Sequence, residues 1–426
     1  MSARRAHLLF DSISENTGDI AIGLASAQIL SERGIAPHVA DPFLPNLPRP
    51  LIVGGGDLLR VKGDPFYDLF RPKGHNILNA AGVWSTADDL GYLTDYSFVS
   101  GRTERETEVL RKWVPEAEVV PCTTTILRSE HFAIPGLEPG EPVIGIQLVP
   151  HSLRLIEDLV PILNAIPYKK VFIPFTHYNA DESFMKTLPF DRTNSIFLDR
   201  LSPLELHSVI GQMSRVVASS LHISIFSYSQ NVPFISIHQD KISNYFEDRK
   251  LQEHIVQTGP ELETMIKRLD SEEFDFSTEI AADRSTVESA FDRYVEILAH
   301  DSTVEPGTAF LAPKTTIDRD ALKRLHAADI VSDRDITLGL LEARRVALRA
   351  EKNAQASALE LLSADNAHLQ ERTAHLQTEL EDRIAEITVL QAGLARVLGA
   401  WDQRVKRLLR HPLRVVRNRL AFRRAD

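Results

Sequence analysis

Short apolar runs alternate with amphipathic stretches over residues 1–300 of the chain. The runs HLLFD (7–11), PLIVGGGDLL (50–59) and YSFVSGR (96–102) predict strands, and the polar loop after the first run leads into a predicted helix from Ile20 to about Arg33. Strands that alternate with helices in this way are typical of a mostly parallel sheet.

The pattern breaks near residue 140 and then restarts with the runs PVIGIQLVP, KKVFIPFTH, NSIFLD, RVVASS and PFISIH. We therefore predict an α/β fold with two doubly wound, Rossmann-like domains, at residues 1–138 and 139–300. Ligands of such sheets lie outside the carboxyl ends of the strands. A cleft between the facing domains is the predicted site.

Beyond residue 300 the pattern changes. Residues 301–335 are polar and hold Pro306, Gly307 and Pro313, which predicts a linker. Residues 336–398 contain no proline, and apolar side chains recur there at alternating spacings of three and four. This spacing predicts a coiled coil, and Asn366 at a core position favours a parallel homodimer. The alternative is one long amphipathic helix folded back on the body.

The predicted tail, residues 399–426, is basic and amphipathic. Residues 401–426 carry a net charge of +7 within a chain of net charge −11, so residues 1–400 carry −18. An acidic body argues against nucleic acid as a partner. The tail predicts an interfacial helix, kinked at Pro412, on an anionic membrane surface. The alternative is a solvated tail that binds the chain's own acidic body.

Only one cysteine, Cys122, is present among 426 residues, which excludes an intrachain disulfide framework and fits a reducing compartment. No stretch approaches the ~20 apolar residues that a membrane span needs, and the N-terminus lacks the features of a signal peptide. A cytoplasmic protein, peripheral at the inner membrane face through its tail, is the expectation.

Two glycine-containing segments follow predicted strands. Gly54, Gly55 and Gly56 allow close approach of the backbone to an anion, although a tight turn explains them equally well. Asn16 and Asp19 lie between the first strand and the first helix, where Asp19 either takes part in the site or caps the helix.

Two further segments carry candidate chemistry. Ser219, Ser220 and His222 stand at a strand end and helix start, where an anion can bind and an imidazole can transfer protons; packing or capping is the alternative. Arg102 offers the planar fork that grips carboxylate or phosphate, or it forms a surface ion pair. The motifs G-x-S-x-G, Walker A, HExxH and G-x-G-x-x-G are absent from the sequence, and no metal-ligand cluster is predicted.

The order of these fragments resembles the polysaccharide pyruvyl transferase family over roughly residues 7–250. The matching segments are NTGD (16–19), GGGDLL (54–59), VSGR (99–102), IPFTHYNAD (173–181), LSPLEL (201–206), SSLHISIFSYSQNVPFIS (219–236) and Lys241. The resemblance implies a fold like that of two-domain glycosyltransferases of the B type. It also implies transfer of the enolpyruvyl unit of phosphoenolpyruvate to two sugar hydroxyls, as a pyruvate ketal on a cell-surface glycan or its lipid-linked precursor.

Residue roles follow from the same resemblance. Arg102 and Lys241 match positions that hold the donor's carboxylate or phosphate, His222 is the candidate general acid, and Asp19 and Glu205 are candidates for binding or deprotonating the acceptor. The wider predicted site comprises Gly54, Gly55, Gly56, Ser219 and Ser220 on the donor side and Asn16, Thr176 and Asp181 on the acceptor side. Phosphoenolpyruvate is a co-substrate, and no cofactor is expected.

The sequence departs from the family at three places. Ser220 stands where many members have arginine, Thr103 stands where aspartate often follows the arginine, and the segment around Cys122 lacks a common Asp-Pro pair. Two alternatives therefore stay open. One is a glycosyltransferase with a nucleotide-sugar donor, and the other is a catalytically inactive glycan-binding or scaffold protein.

Overall fold

The computed structural model describes residues 4–12, 14, 16–43, 47, 49–60, 66–138, 140–176, 181–300 and 366–422, with the backbone alone at 300, 366–376, 379 and 407–422. Two compact units divide the chain after Ala350. The predicted linker at 301–335, and residues 336–365 of the predicted coiled coil, lie outside the described residues.

Two six-stranded parallel sheets form the first unit. The first has the strand order β2-β1-β3-β4-β5-β6. Its strands are β1 (Arg4–Leu9), β2 (Ile35–Val39), β3 (Leu51–Gly54), β4 (Ile77–Ala81), β5 (Phe98–Gly101) and β6 (Glu118–Val119). Alternate residues of these strands pack on opposite faces of the sheet, so Leu8 and Ile52 belong to one buried cluster and Leu9 and Val53 to another.

The second sheet has the order β12-β11-β10-β7-β8-β9. Its strands are β7 (Val143–Gln147), β8 (Lys169–Phe172), β9 (Ser195–Phe197), β10 (Arg215–Ala218), β11 (Phe234–Ile237) and β12 (Ile255–Val256). Every described pairing in both sheets is parallel. The prediction of two parallel-sheet α/β domains is confirmed.

The strand order reverses direction between β1 and β3 in the first sheet and between β7 and β10 in the second. Ligands of open α/β sheets bind in the crevice at such switch points. Asp19 lies in the first turn of the helix after β1, Asp57 lies in the loop after β3, and His222 lies in the first turn of the helix after β10. The topology therefore brings these candidate site residues to the crevice of each sheet.

Helices cover the faces of both sheets. Those described up to residue 300 are α1 (Thr17–Glu32), α2 (Glu104–Arg111), α3 (Pro150–Leu155), α4 (Leu159–Ala165), α5 (Asp181–Thr187), α6 (Pro203–Gly211), α7 (Leu221–Ser229), α8 (Asp240–Glu247), α9 (Gly259–Ser271) and α10 (Ser277–His300). Helix α1 joins two cores, because Ile29 and Leu30 pack with the first sheet whereas Ala21 and Ile22 pack with side chains of the second half.

Helix α10 follows the second sheet in sequence but packs on the first. Phe291 and Tyr294 are fully buried in the cluster that contains Leu8 and Ile52, and the Tyr294 hydroxyl lies 3.1 Å from Asn79 Oδ1. The predicted boundaries at residues 138 and 300 stay predictions. The packing of α10 shows that the last helix of the second half stabilises the first sheet.

The second unit contains a continuous helix, α11 (Asn366–Phe422), whose backbone stays helical through Pro412. Its segment Leu380–Lys406 is long and apolar enough for a membrane span by length and composition, and no residue of its most apolar window is buried. The expectation that no stretch meets that test is wrong, because Glu386 and Arg396 are the only charged residues from Ile384 to Trp401. The coiled coil and the basic amphipathic tail stay predictions.

Removal of the Phe291 side chain tests the role of helix α10. We expect Phe291→Ala to lower the free energy of unfolding by about 3–5 kcal/mol, because it leaves a cavity under the first sheet. Chemical denaturation measures the loss. The control Glu296→Ala changes an exposed position on the same helix and should alter the stability by less than about 0.5 kcal/mol. Equal effects of the two substitutions would contradict the assigned packing.

Candidate functional site

The segment 16–19 caps helix α1 and connects the two halves. Asn16 is the N-cap: its Oδ1 accepts from the Gly18 amide at 3.2 Å, and its Nδ2 donates to Asp19 Oδ2 at 2.6 Å. An antiparallel bridge joins the Asn16 backbone to Thr176 of the second half. The cap therefore belongs to Asn16, which leaves Asp19 to face the junction of the halves.

The glycines after β3 allow helix α1 to approach the sheet. Gly55 and Gly56 have φ values of 65° and 68°, in the left-handed region that favours glycine. A Cβ atom at Gly56 would lie 2.1 Å from Asp19 Oδ1. The Gly55 amide donates to the Asn79 carbonyl at 2.9 Å, and Gly54 continues β3. This turn thus makes room for Asp19, and the Gly55 amide is already occupied.

Asp57 links cations from both halves. Arg102 donates a short hydrogen bond from Nη2 to Asp57 Oδ1, and Lys241 Nζ lies 3.5 Å from Asp57 Oδ2. Burial alone would raise the pKa of Asp57, but the charges of Arg102, Lys241 and Arg60 hold it well below its ordinary value. Asp57 is therefore an anion that positions the two predicted donor-binding cations.

Glu106 is the second partner of Arg102. Its Oε1 accepts from Arg102 Nε at 3.1 Å, and its Oε2 accepts from the Thr103 hydroxyl at 3.0 Å. Thr103 is the N-cap of helix α2, so the residue that departs from the family pattern fixes the carboxylate that orients Arg102. Arg102 is only 2% exposed and is fixed by two carboxylates, whereas the Lys241 side chain is 36% exposed.

Asp19 is an acid that retains its proton. Burial, followed by the charges of Asp11 and Asp57, raises the pKa of Asp19 to about 8, against an opposing effect of Lys241 and Arg102. At neutral pH the carboxyl group is mostly protonated. Asp19 and Asp57 thus lie in one cluster with opposite protonation states, because their surroundings shift the two pKa values in opposite directions.

His222 is the neutral partner in the cluster. It is 7% exposed, and a Cβ atom at Gly18 would lie 2.0 Å from its Nδ1. Burial, and then the charges of Arg102 and Lys241, lower the pKa of His222 to about 3. Its buried Nε2 has no hydrogen-bond partner among the described residues. The imidazole is therefore neutral in this state, and its Nε2 is available to pair with a ligand.

Asp181 holds the edge of the second sheet beside this cluster. Its Oδ2 accepts from the amides of Phe175 and Thr176 at 2.8 and 2.7 Å and from Gln147 Nε2 at 3.0 Å. Asp181 is fully buried. Its contacts fix the backbone of Thr176, which in turn bridges to Asn16. Of the three residues predicted to bind the acceptor, Asp181 therefore supports the other two.

The two serines after β10 differ. The buried Ser219 hydroxyl makes a short hydrogen bond with the Ser152 hydroxyl, and the Ser219 carbonyl accepts from Gln239 Nε2 at 2.6 Å. Ser220 is the N-cap residue of α7, but its side chain caps no amide of the helix. Ser219 therefore braces the loop, and Ser220 is the one placed at the helix start with a hydroxyl not used for capping.

Glu205 is not joined to this cluster by its described contacts. Its carboxylate accepts from the Ser202 amide at 2.8 Å and its amide donates to the Ser202 hydroxyl at 3.2 Å, which is a capping box at the start of α6. These hydrogen bonds lower its pKa, as expected for a helix cap. The L-S-P-L-E-L segment is thus explained by helix capping.

Sequence reasoning missed Asp11, Asp57 and Glu106. Asp57 directly follows the three glycines at a strand end, and Glu106 lies four residues after Arg102 on the next helix. Both positions could therefore have been predicted from the sequence as partners of Arg102 or of a ligand. Cys122 is buried, and burial raises the pKa of its thiol, which fits a packed side chain. Within the described part of the chain, no group of three or more His, Cys, Asp or Glu residues is arranged to hold a metal ion.

The fold and the cluster define a two-domain parallel α/β protein with an ionic site between its sheets. The profile of the polysaccharide pyruvyl transferase family matches residues 16–240, which is more than half of the chain and includes Asp19, Asp57, Arg102 and His222. The chain belongs to this family, and the recognition made from the motifs is confirmed.

Similar solved structures include two sugar-nucleotide epimerases. The UDP-GlcNAc 2-epimerase of Methanocaldococcus jannaschii is 10% identical, with a TM-score of 0.40 over 68% of this chain and 99% of that chain. A putative UDP-N-acetylglucosamine 2-epimerase of Listeria monocytogenes is 11% identical, with a TM-score of 0.43 over 68% and 98%. The calicheamicin glycosyltransferase CalG4 is 10% identical, with a TM-score of 0.37 over 71% and 100%. No curated protein matches the chain.

The raised pKa of Asp19 predicts a pH-dependent stability. Between the ordinary carboxyl pKa of 3.8 and the folded pKa of about 8, the unfolded chain releases a proton that the folded chain keeps, so Asp19 makes the fold less stable as the pH rises. Asp19→Asn removes this effect. We expect its melting temperature to exceed that of the wild type by an amount that grows from pH 4 to pH 8.

Differential scanning calorimetry at several pH values measures this difference. Asp95→Asn, at an exposed position, is the control and should follow the wild type at each pH. A difference that stays constant between pH 4 and pH 8 would show that Asp19 titrates normally.

Proposed function

We propose that this protein transfers the enolpyruvyl group of phosphoenolpyruvate to two hydroxyls of a sugar, and so forms a pyruvate ketal on a cell-surface glycan or its precursor. The observation that carries the proposal is the meeting of Arg102, Lys241 and His222 around Asp57 in a chain of the pyruvyl transferase family. Cations beside groups that exchange protons are the equipment that this reaction requires.

Lys241 is the cation that engages the donor first. Arg102 is buried between Asp57 and Glu106, so its charge is largely compensated, whereas Lys241 is partly exposed and has a long contact to Asp57. A phosphate or carboxylate group of the donor draws Lys241 from Asp57 and completes the ion pair. Arg102 keeps Asp57 in place and faces the same anion.

The protonation states assign the acid and the base. Protonated Asp19 supplies a proton to the methylene carbon of phosphoenolpyruvate, and neutral His222 accepts the proton of the first sugar hydroxyl through its unpartnered Nε2. These assignments reverse the role first expected for His222. They start from the neutral forms that burial favours in the free protein. The bound anionic donor then offsets the charges of Arg102 and Lys241, which otherwise oppose an imidazolium at His222.

The reaction balances with these groups alone. The first hydroxyl oxygen bonds to the central carbon of the donor as the methylene carbon becomes a methyl group. The bond from that carbon to the phosphate oxygen then breaks, and the second hydroxyl attacks the same carbon. Its proton restores Asp19, and the imidazolium returns its proton to the departing phosphate. The products are a cyclic ketal and inorganic phosphate.

Calorimetric titration with phosphoenolpyruvate, together with phosphate release in the presence of methyl glycosides, tests this function. We expect the wild type to bind the donor and Lys241→Met to bind it at least about tenfold more weakly. Asp19→Asn should bind the donor but release phosphate about 100- to 10,000-fold more slowly, because a general acid is lost. The wild-type rate should fall above pH 8 as Asp19 loses its proton.

Exposed residues of the same types provide matched controls. His131→Asn and Asp95→Asn change exposed side chains and should leave donor binding and rate unchanged. Binding of UDP-N-acetylglucosamine in place of phosphoenolpyruvate would support a glycosyltransferase instead. Absence of binding by both donors would support a glycan-binding protein without this chemistry.

The exposed apolar side chains of α11 support a homodimer at the inner membrane face. Leu380, Leu390, Leu394 and Val397 are 46–65% exposed and recur at the spacing of a coiled-coil seam. A second copy of the chain covers this seam in the proposed dimer. The basic segment that follows would then place two tails on an anionic leaflet, which raises avidity.

Mass measurement by light scattering on the full chain tests the dimer. We expect a dimer for the wild type and a monomer for the double variant Leu390→Lys/Leu394→Lys, because two charges would enter the seam. The control Val389→Lys changes an equally apolar but off-seam position and should stay dimeric. Sedimentation with phosphatidylserine vesicles should be weaker for the monomer. A monomeric wild type, or equal sedimentation, would contradict the proposal.

A further inference from the structure

An exposed aromatic side chain, Trp84, lies near the ionic cluster that Asp19, Asp57, Arg102, His222 and Lys241 form. Trp84 is 61% exposed, and the other large apolar residues described as exposed before the C-terminal helix are Val39 and Trp113. We propose that Trp84, stacked on the Arg60 guanidinium, is the subsite that binds a pyranose ring of the acceptor. This inference rests on the proposed function and adds the place where its sugar lies.

The stack has a fixed geometry. The Arg60 guanidinium carbon lies 4.2 Å from the centroid of the Trp84 ring and 4.4 Å from that of Tyr67, so the cation is held between two aromatic rings. The Arg60 side chain also donates from Nε to the Asp57 carbonyl at 3.2 Å. The indole is therefore supported on the face toward Arg60, while most of its surface remains open to solvent.

Arg71 ties together the two loops that carry the stack. Its Nη2 makes short hydrogen bonds to the Arg60 carbonyl and to the buried carboxylate of Asp88, and its Nη1 donates to the Asp89 carbonyl at 3.1 Å. Both loops are thus held by one buried cation. A preorganised aromatic surface loses little conformational freedom when a ligand binds.

The stack is continuous with the proposed catalytic groups. The Trp84 amide donates to the Leu59 carbonyl at 2.9 Å, which extends the pairing of β3 and β4 beyond the strand ends. Two residues before Trp84, a Cβ atom at Gly82 would lie 2.6 Å from Asp57 Oδ1 and 2.5 Å from Arg102 Nη2. Burial raises the pKa of Tyr67, and the charges of Asp11, Asp19 and Asp57 add to this effect against an opposing effect of Arg60.

A sugar ring fits this position for chemical reasons. A pyranose has one face of C–H groups that packs on an aromatic ring, while its hydroxyls point outward to polar partners. A ring stacked at this place would lie beside the strand ends that carry Asp57 and Gly82. Amphipathic aromatic residues with a few convergent polar groups are the usual makeup of such subsites.

Saturation-transfer NMR with two probes, methyl β-D-galactopyranoside and methyl N-acetyl-β-D-mannosaminide, tests the subsite on the full chain. The wild type should transfer saturation to the ring C–H protons of at least one probe. Trp84→Ala should bind that probe about tenfold more weakly, and Trp84→Phe should recover part of the binding because it keeps an aromatic face. Trp113→Ala, which removes an indole elsewhere on the surface, should match the wild type.

Parallel calorimetry with phosphoenolpyruvate separates this inference from the proposed function. Donor binding should be the same in the wild type and all three variants, since the described contacts of Trp84 are with Arg60 and Leu59 rather than with Lys241 or Arg102. Wild-type glycoside signals in Trp84→Ala, or no signal for either probe with the wild type, would overturn the subsite. If the wild type does not bind phosphoenolpyruvate, the proposed function is wrong. The glycoside signals of the wild type and Trp84→Ala still decide whether Trp84 binds a sugar.

Discussion

The buried ionic contact of Asp57 with Arg102 and Lys241 governs the electrostatics of the site. Asp57 follows β3 in the first sheet, and Lys241 lies in the first turn of the helix after β11 in the second, so this contact spans the crevice between the halves. A buried carboxylate is costly unless cations offset its lost hydration. Burial disfavours a charge on both His222 and Asp19. The same two cations add to this effect at His222, and Asp11 and Asp57 add to it at Asp19.

Three glycines leave the space that the side chains of this cluster occupy. Glycines at positions 18, 56 and 82 each leave space that a side chain of the cluster fills, namely the imidazole of His222, the carboxyl of Asp19 and the paired groups of Arg102 and Asp57. A methyl group at any of them would displace the neighbouring functional group. The glycines therefore act through close packing of protein against protein, in addition to any contact with a ligand.

Much of the architecture follows from the sequence pattern. The predicted runs coincide with β1, β3 and β5 and with five strands of the second sheet, because strands buried on both faces appear as continuous apolar segments. The edge strands β2, β6 and β12 and the inner strand β4 were not predicted. β6 and β12 have two residues each, and β2 contains Pro37 and His38, so none has a clear apolar run.

The candidate site was predicted in part. Asn16, Asp19, Arg102, His222 and Lys241 were named from motif order. The structure brings Asp19, Arg102, His222 and Lys241 around Asp57, which lies in the glycine-rich segment but was not named as a site residue. Protonation states lay beyond the sequence, since they depend on burial and on charges brought together from distant segments. Glu205 shows the converse, because its S-P-L-E motif is fully explained as a local helix cap.

The proposed reaction depends most directly on the protonation state of Asp19. Carbon-13 NMR of the Asp19 side-chain carboxyl, assigned by comparison with Asp19→Asn, reports that state as the pH is varied. We expect a titration midpoint near pH 8 in the free protein. A midpoint near the ordinary value of 3.8 would contradict it, because Asp19 would then be ionised at neutral pH and could not supply the proton.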